Sequence, residues 1–240
     1  MSVLQTVQEV ESFEQQIFGA AIPAQTDSYS PVSHQNIVNA IQEKCDQHGL
    51  EIRNKQYWLN KQGQQVTGKF NIGVEGDDEL GMMLAFRNSY DKSMSLGFAA
   101  GGNVWICTNG LVGGDITLVR RHTGSIVTEV SDKITTSIDS LESEFVKLVR
   151  QKDAMKNIEI DRTVSAELVG RMFIEENLIN STQLNIIKRE MFESEEFRDA
   201  TLWSTYNHIT EAYKKSSAYS FIDNHVQLHK FIETEFELVS

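Results

Sequence analysis

The sequence predicts an α+β fold, in which a mostly antiparallel sheet packed by helices is followed by a helical C-terminal half. Three observations carry that expectation. Phe70, Ile72 and Val74 alternate with Lys69, Asn71 and Gly73, and Leu80, Met82, Leu84 and Phe86 recur at every second position, as half-buried strands require. The two stretches are separated by Glu75-Gly76-Asp77-Asp78-Glu79, which is too polar and charged to be anything but a turn. From Val127 onward the apolar spacing lengthens to three and four, the period of a helix.

Taken in order, residues 1–32 hold both prolines, Pro23 and Pro31, and form a lead-in segment with helical character over 5–17. Ser33 is a fitting N-cap, Ile37, Ile41 and Cys45 follow on one face, and Gly49 stands where a helix ends, so a helix is expected over 34–48. Cys45 then reads as a small buried hydrophobe. A first strand over 50–59, a turn at Asn60-Lys61-Gln62-Gly63, a second strand over 66–74 and a third over 80–86 follow. Shorter strand candidates occupy 103–107 and 115–121. Alternation implies one buried face and one exposed, hence helices on one side of the sheet. Val127, Val130, Ile134, Ile138, Leu141, Phe145 and Leu148 make one stripe of a long helix, suited to the sheet or to a twin from another subunit. The pattern stays helical from 160, with caps at Thr163, Ser181 or Thr182, and Ser194. The chain therefore divides into a lead-in over 1–32, a sheet domain carrying the site over 33–157, and a helical region over 158–240.

With 240 residues, 40% hydrophobic and 23% charged, the chain has enough apolar content for a real core. No run approaches the roughly 20 apolar residues that span a bilayer, and the first residues lack a basic and apolar leader, so a cytoplasmic protein with no membrane partner is expected. Cys45 and Cys107 are expected as reduced thiols. The formal charge is -12, but it is uneven: residues 1–50 carry 6 acids and 1 base, 51–125 carry 7 and 8, and 126–240 carry 21 and 13. An anionic ligand is expected at the central block, the one that escapes the acidic excess.

Chemistry-bearing residues gather there. Arg87-Asn88-Ser89-Tyr90-Asp91-Lys92-Ser93 follows an alternating strand and reads as a loop at the sheet edge, where Arg87 and Lys92 suit a phosphate and Asn88 and Ser89 add directional hydrogen bonds. Asp91 equally suits capping of that turn. Arg120, Arg121, His122 and Thr123 end the last strand candidate and add cations beside Tyr90 and Trp105, a combination that suits single-stranded nucleic acid or a nucleotide. Cys107 and His122 have the types of a nucleophile and its base, with Asp91 or Asn109 as orienting group. The glycines between Gly97 and Gly114 match neither GxxxxGK[ST] nor GxGxxG, and His122, Cys107 and Asp91 lie in separate turns with no CxxC or HxxxH spacing among them, so no cofactor and no metal are expected. In the helical half, Trp203, Asn207 and Glu211 share a face, with Tyr206 beside them. They are placed either to close over the central site or to bond across the sheet and helix boundary.

The motifs Pro31-Val32-Ser33-His34, Arg87-Asn88-Ser89-Tyr90-Asp91-Lys92-Ser93, Val104-Trp105-Ile106-Cys107-Thr108-Asn109, Arg121-His122-Thr123 and Leu202-Trp203 through Asn207, Thr210 and Glu211 occur in this order over most of 30–230. In this the chain resembles the phage/plasmid-like protein family, a domain of unknown function numbered nine hundred and thirty-two. The resemblance implies an accessory protein of a mobile element and no particular activity. A helix, an antiparallel sheet and a long helix in such a setting are also similar to the core of single-strand annealing recombinases, which bind DNA as oligomeric rings; by that analogy a homo-oligomer is expected. The leading expectation is non-catalytic binding of single-stranded nucleic acid or a nucleotide in DNA recombination or replication. The alternatives are a protein that binds and inhibits a host factor or defence component through its acidic surface, and a Cys/His-dependent enzyme using Cys107, His122 and Asp91.

Overall fold

The computed structural model describes residues 5–60, 63–74, 76–104, 110–111, 117–216 and 220–238. In the lead-in, α1 (Val7–Gly19) starts where Thr6 and Glu9 close a capping box: the Glu9 amide donates to Thr6 Oγ1 at 3.2 Å and the Thr6 amide to the Glu9 carboxylate at 2.8 Å. α2 (His34–Gln47) begins at Ser33, whose hydroxyl accepts from the Asn36 amide, and Gly49 follows it at φ +66°. Its buried side comprises Ile37, Val38, Ile41 and Cys45. Burial pushes the Cys45 thiol up to about 11, which makes it a packing group and not a nucleophile.

Six strands follow among the described residues: β1 (Glu51–Asn60), β2 (Gln65–Gly73), β3 (Leu80–Ser89), β4 (Leu96–Val104), β5 (Gly110–Leu111) and β6 (Thr117–Arg120). They pair antiparallel in the order β1-β2-β3-β4, and β5 and β6 both lie along β4, so the sheet is five positions wide. Three strand assignments differ from expectation, one of them β5, which falls between the two short candidates. Arg87, Asn88 and Ser89 belong to β3 and not to a loop after it. The fourth strand runs over Leu96–Val104, earlier than the expected 103–107, because GFAAGG has almost no side chain to signal its period. The expected segments 105–107 and 115–116 lie outside the described residues.

The one-sided covering expected from alternation is also corrected: all ten residues of β3 are buried. On one face Phe86, Leu84 and Met82 join Phe70 and Phe98 in a core that also includes side chains of α2 and of the later helices. On the other, Met83, Ala85 and Ala99 are covered by Ile222 and Val226 of α8 (Phe221–Glu235). Small residues let that helix approach, which is why the second face carries little apolar signal in the sequence.

The expected long helix is two, α3 (Ile126–Asp139) and α4 (Leu141–Asn157), broken at Ser140. No proline or glycine stands there; the Ser140 hydroxyl donates to the Thr136 carbonyl at 2.9 Å, a back-bond that bends helices. The stripe from Val130 to Leu148 is buried across the break, whereas Val127 is exposed. The remaining helices are α5 (Arg162–Ile174), α6 (Ser181–Glu193) and α7 (Leu202–Tyr213). Asp161 and Asn180 cap α5 and α6, within two residues of the expected Thr163 and Ser181 or Thr182, whereas Ser194 ends α6 and Thr201 caps α7 in its place. Among the described residues no helix is long and apolar enough to cross a membrane.

Gly68 faces Phe86 across β2 and β3, and a Cβ there would lie 2.3 Å from the buried ring. Gly68→Ala is expected to lower unfolding free energy in urea by about 1–3 kcal/mol. Gly73→Ala, whose Cβ meets only the half-exposed Arg53 side chain, is expected to cost less.

Candidate functional site

Successive strand residues point to opposite faces, so Arg87 and Asn88, adjacent in the chain, serve different sides of the sheet. Arg87 lies on the α8 face, 1% exposed, with Nη1 2.8 Å from Asp223 Oδ2, Nη2 3.4 Å from Oδ1 and Nε 3.4 Å from the Ser95 carbonyl. Its register partner is Gly97, where a Cβ would come within 3.0 Å of Arg87 Nε. The guanidinium is thus a fork between β3 and α8, pointed away from solvent.

Asn88 lies on the opposite face and is completely buried. Its Nδ2 donates to the Val32 carbonyl at 2.7 Å and lies 2.9 Å from His34 Nδ1, and its Oδ1 lies 2.6 Å from His122 Nε2. The carbonyl of Val32 can only accept, so the amide nitrogen must face it; His34 Nδ1 is then an acceptor and His122 Nε2 a donor. One carboxamide therefore fixes both tautomers. Burial favours the neutral rings, lowering His34 to about 4 and shifting His122 downward.

Aromatic rings pack around this relay. Tyr90 stacks on His34 with centroids 3.7 Å apart, and its hydroxyl accepts from the His34 amide at 2.9 Å. Tyr29 lies 5.7 Å from the His122 ring and donates to the Tyr90 carbonyl at 3.3 Å. The Ser30 amide donates to the His122 carbonyl at 2.8 Å. The lead-in, the end of β3 and the turn after β6 are thereby held together.

The loop beyond β3 is closed by Ser89, whose hydroxyl donates to the Met94 carbonyl and accepts from its amide, both at 3.1 Å. Asp91 accepts from Ser93 and from Gln65 Nε2, so its carboxylate caps this turn. Lys92 takes φ 61°, a left-handed conformation few side chains adopt, and its exposed ammonium lies 4.4 Å from the Tyr29 ring centroid. Arg121 and Thr123 are exposed on either side of buried His122, and exposed Arg120 pairs with Glu129 at 2.8 Å.

Of the expected site residues, then, the structure brings Asn88, Ser89, Asp91, Lys92, Arg121, His122 and Thr123 to one end of the sheet, with Arg120 leading in, and sends Arg87 to the other face. Trp105, Cys107 and Asn109 lie outside the described residues. Among the described residues no three His, Cys, Asp or Glu side chains converge as metal ligands would. The polar side of α7 bonds locally, Asn207 Nδ2 donating to the Trp203 carbonyl at 2.9 Å and Glu211 pairing with Lys214. Sequence reasoning gave no role to His34 or Tyr29. The proximity of His34 to Pro31 and to the Ser33 cap was the available signal, but nothing in the sequence pairs it with residues 88 and 122.

A family profile described as "Domain of unknown function (DUF932)" matches residues 22–231. The chain belongs to the DUF932 family. Comparison with curated proteins and with solved structures gave no match. The DUF932 match takes in the whole relay from Tyr29 to His122, together with Arg87 and Asp223.

Two outcomes follow for this DUF932 protein. His34 titrates near 4 when folded and in the ordinary range when unfolded, so the unfolded state binds the extra proton first as pH falls. Stability is expected to be fully present above pH ~6.5 and to decline toward pH ~4, at up to ~1.4 kcal/mol per pH unit for this group. In urea melts across that window, His34→Gln is expected to show a shallower decline; an unchanged slope speaks against a neutral buried His34. Asp223→Ala, which leaves Arg87 charged and buried, is expected to cost about 2–3 kcal/mol, reduced from a fully buried pair because Asp223 is partly in water.

Proposed function

We propose that this DUF932 protein is a non-catalytic binder of single-stranded nucleic acid or a nucleotide, whose site is the rim formed by Lys92, Arg121 and Thr123, with Arg120 at its edge. The observation that carries this reading is the posture of Lys92. A residue that adopts φ 61° and holds its ammonium out over Tyr29, beside the turn containing Arg121, presents charge to solvent instead of spending it on a carboxylate. The rim also belongs to the one stretch of the chain that is not acidic, residues 51–125. Arg120 adds a third cation, since an exposed ion pair such as that with Glu129 yields easily to a phosphate.

The contacts differ from those that sequence reasoning favoured. Arg87 is committed to Asp223, and the Tyr90 ring to His34, so neither is a phosphate or base contact in this reading. Affinity comes from backbone charge, with Thr123 as a hydrogen-bonding group, and base identity matters little. Non-catalytic binding is favoured because the Nε2 proton of His122 is held by Asn88 within a neutral relay, and Asp91 is engaged in its own turn. The motif resemblance to phage- and plasmid-type proteins supports a role in the cytoplasm in recombination or replication of a mobile element, and oligomerisation would repeat the rim along a strand.

A fluorescent single-stranded oligonucleotide is expected to bind at low ionic strength and to dissociate as salt rises, with a log–log slope of roughly -0.7 per phosphate contact. The double variant Lys92→Ala with Arg121→Ala is expected to bind about tenfold more weakly or worse. Absence of binding at low salt, or full binding by the double variant, would overturn the reading.

A further inference from the structure

The N-termini of α5 and α7 lie side by side. An antiparallel bridge between Glu159 and Thr201 joins the segments that precede them, with the Ile160 amide donating to the Ala200 carbonyl and the Leu202 amide to the Ile158 carbonyl, both at 2.9 Å. Next to this clamp, bounded by α6 and the segment leading into α7, is a cavity of about 470 Å³. That volume lies in the range of small-molecule sites.

Its lining is chemically divided. The buried hydroxyls of Ser165 and Thr205 lie 3.1 Å apart. His208 Nε2, 3.1 Å from the Phe197 carbonyl, must donate to it, which leaves Nδ1 as an acceptor on the neutral ring. Phe192 and Phe197 supply aromatic surface, and the Arg162 guanidinium lies 4.3 Å from the Phe192 centroid with no ion pair among the described residues. Arg198 also lines the cavity but is paired with Glu195, and the carboxylate Glu190 is paired with Arg189. Asp199 is a further lining carboxylate. Because Asp161 and Thr201 already cap the two helices, an anion here would meet Arg162 and the hydroxyls more than backbone amides.

Two further features set this place apart from ordinary packing. Phe197 holds φ 55°, a left-handed conformation that costs a bulky residue about 1–2 kcal/mol. An adjoining cavity of about 330 Å³ shares Phe197, Arg198, Asp199 and Ser204 and is also lined by Trp203, a residue 3% exposed whose buried Nε1 has no hydrogen-bond partner among the described residues. A buried indole N–H without an acceptor is costly unless something else accepts from it.

We propose that this cavity binds a small aromatic anion, a planar ring carrying one carboxylate or phosphate. The ring lies against Phe192 and Phe197, and the anionic group meets Arg162 and the Ser165 and Thr205 hydroxyls. This site is separate from the Lys92 rim and uses none of its residues.

Calorimetric titration of the full chain with benzoate and with adenosine monophosphate distinguishes the carboxylate from the phosphate ester. Benzyl alcohol and inorganic phosphate test whether ring and charge are both required. One of the two aromatic anions is expected to bind one to one, with the two controls about tenfold weaker or worse. Arg162 is exposed, so Arg162→Ala leaves the fold intact, which a thermal melt checks; it is expected to weaken the aromatic anion about tenfold and to leave oligonucleotide binding unchanged. Binding of neither aromatic anion, equal binding of benzyl alcohol, or undiminished binding by Arg162→Ala would overturn the proposal.

Discussion

The Asn88 carboxamide joins three parts of the chain that are distant in sequence: the lead-in through Val32, the start of α2 through His34, and the turn after β6 through His122. Each partner is buried, so each would be left with an unmet hydrogen bond if the amide were removed, at about 1–3 kcal/mol apiece. Leucine is close in size to asparagine but satisfies none of these partners. The end of the sheet is therefore organised around a donor and acceptor pattern and not around apolar contact alone, and the two histidine tautomers follow from it.

The same constraint divides the chemistry of the central motif. Because β3 alternates, fixing Asn88 toward the histidines obliges Arg87 to face α8, where Gly97 leaves room for it and Asp223 neutralises it. Two polar side chains adjacent in sequence become structural fasteners on opposite faces. Outside them is an exposed layer: Lys92 propped on Tyr29, and Arg121 and Thr123 flanking the immobilised His122. For the binding proposed above, a rigid buried relay beneath the rim means that loop entropy is lost on folding and not on binding.

Much of this was legible in the sequence, and the exceptions have physical causes. The α+β class, the first three strands and α2 followed from period and capping, because side chains that face a core repeat with the geometry of the backbone. β4 was misplaced because Gly97, Ala99, Ala100, Gly101 and Gly102 carry too little side chain to show a period. The second covering of the sheet was invisible because it depends on α8, more than a hundred residues later in the chain, meeting Ala85 and Ala99. The break at Ser140 lacked the usual proline or glycine marker. For the site, the polar residues of 88–93 and 121–123 do meet at one end of the sheet, as their placement after neighbouring strands suggests. That Arg87 would be consumed and His34 recruited depends on long-range partners that no local pattern encodes.

The dependence of this region on the Asn88 relay can be read most directly from the protonation of the two rings, by long-range proton–nitrogen NMR correlation on the folded chain at neutral pH. The account predicts neutral rings with the proton of His122 on Nε2 and with Nδ1 of His34 bare. A proton on His34 Nδ1, or a His122 ring protonated at Nδ1 alone, would contradict it.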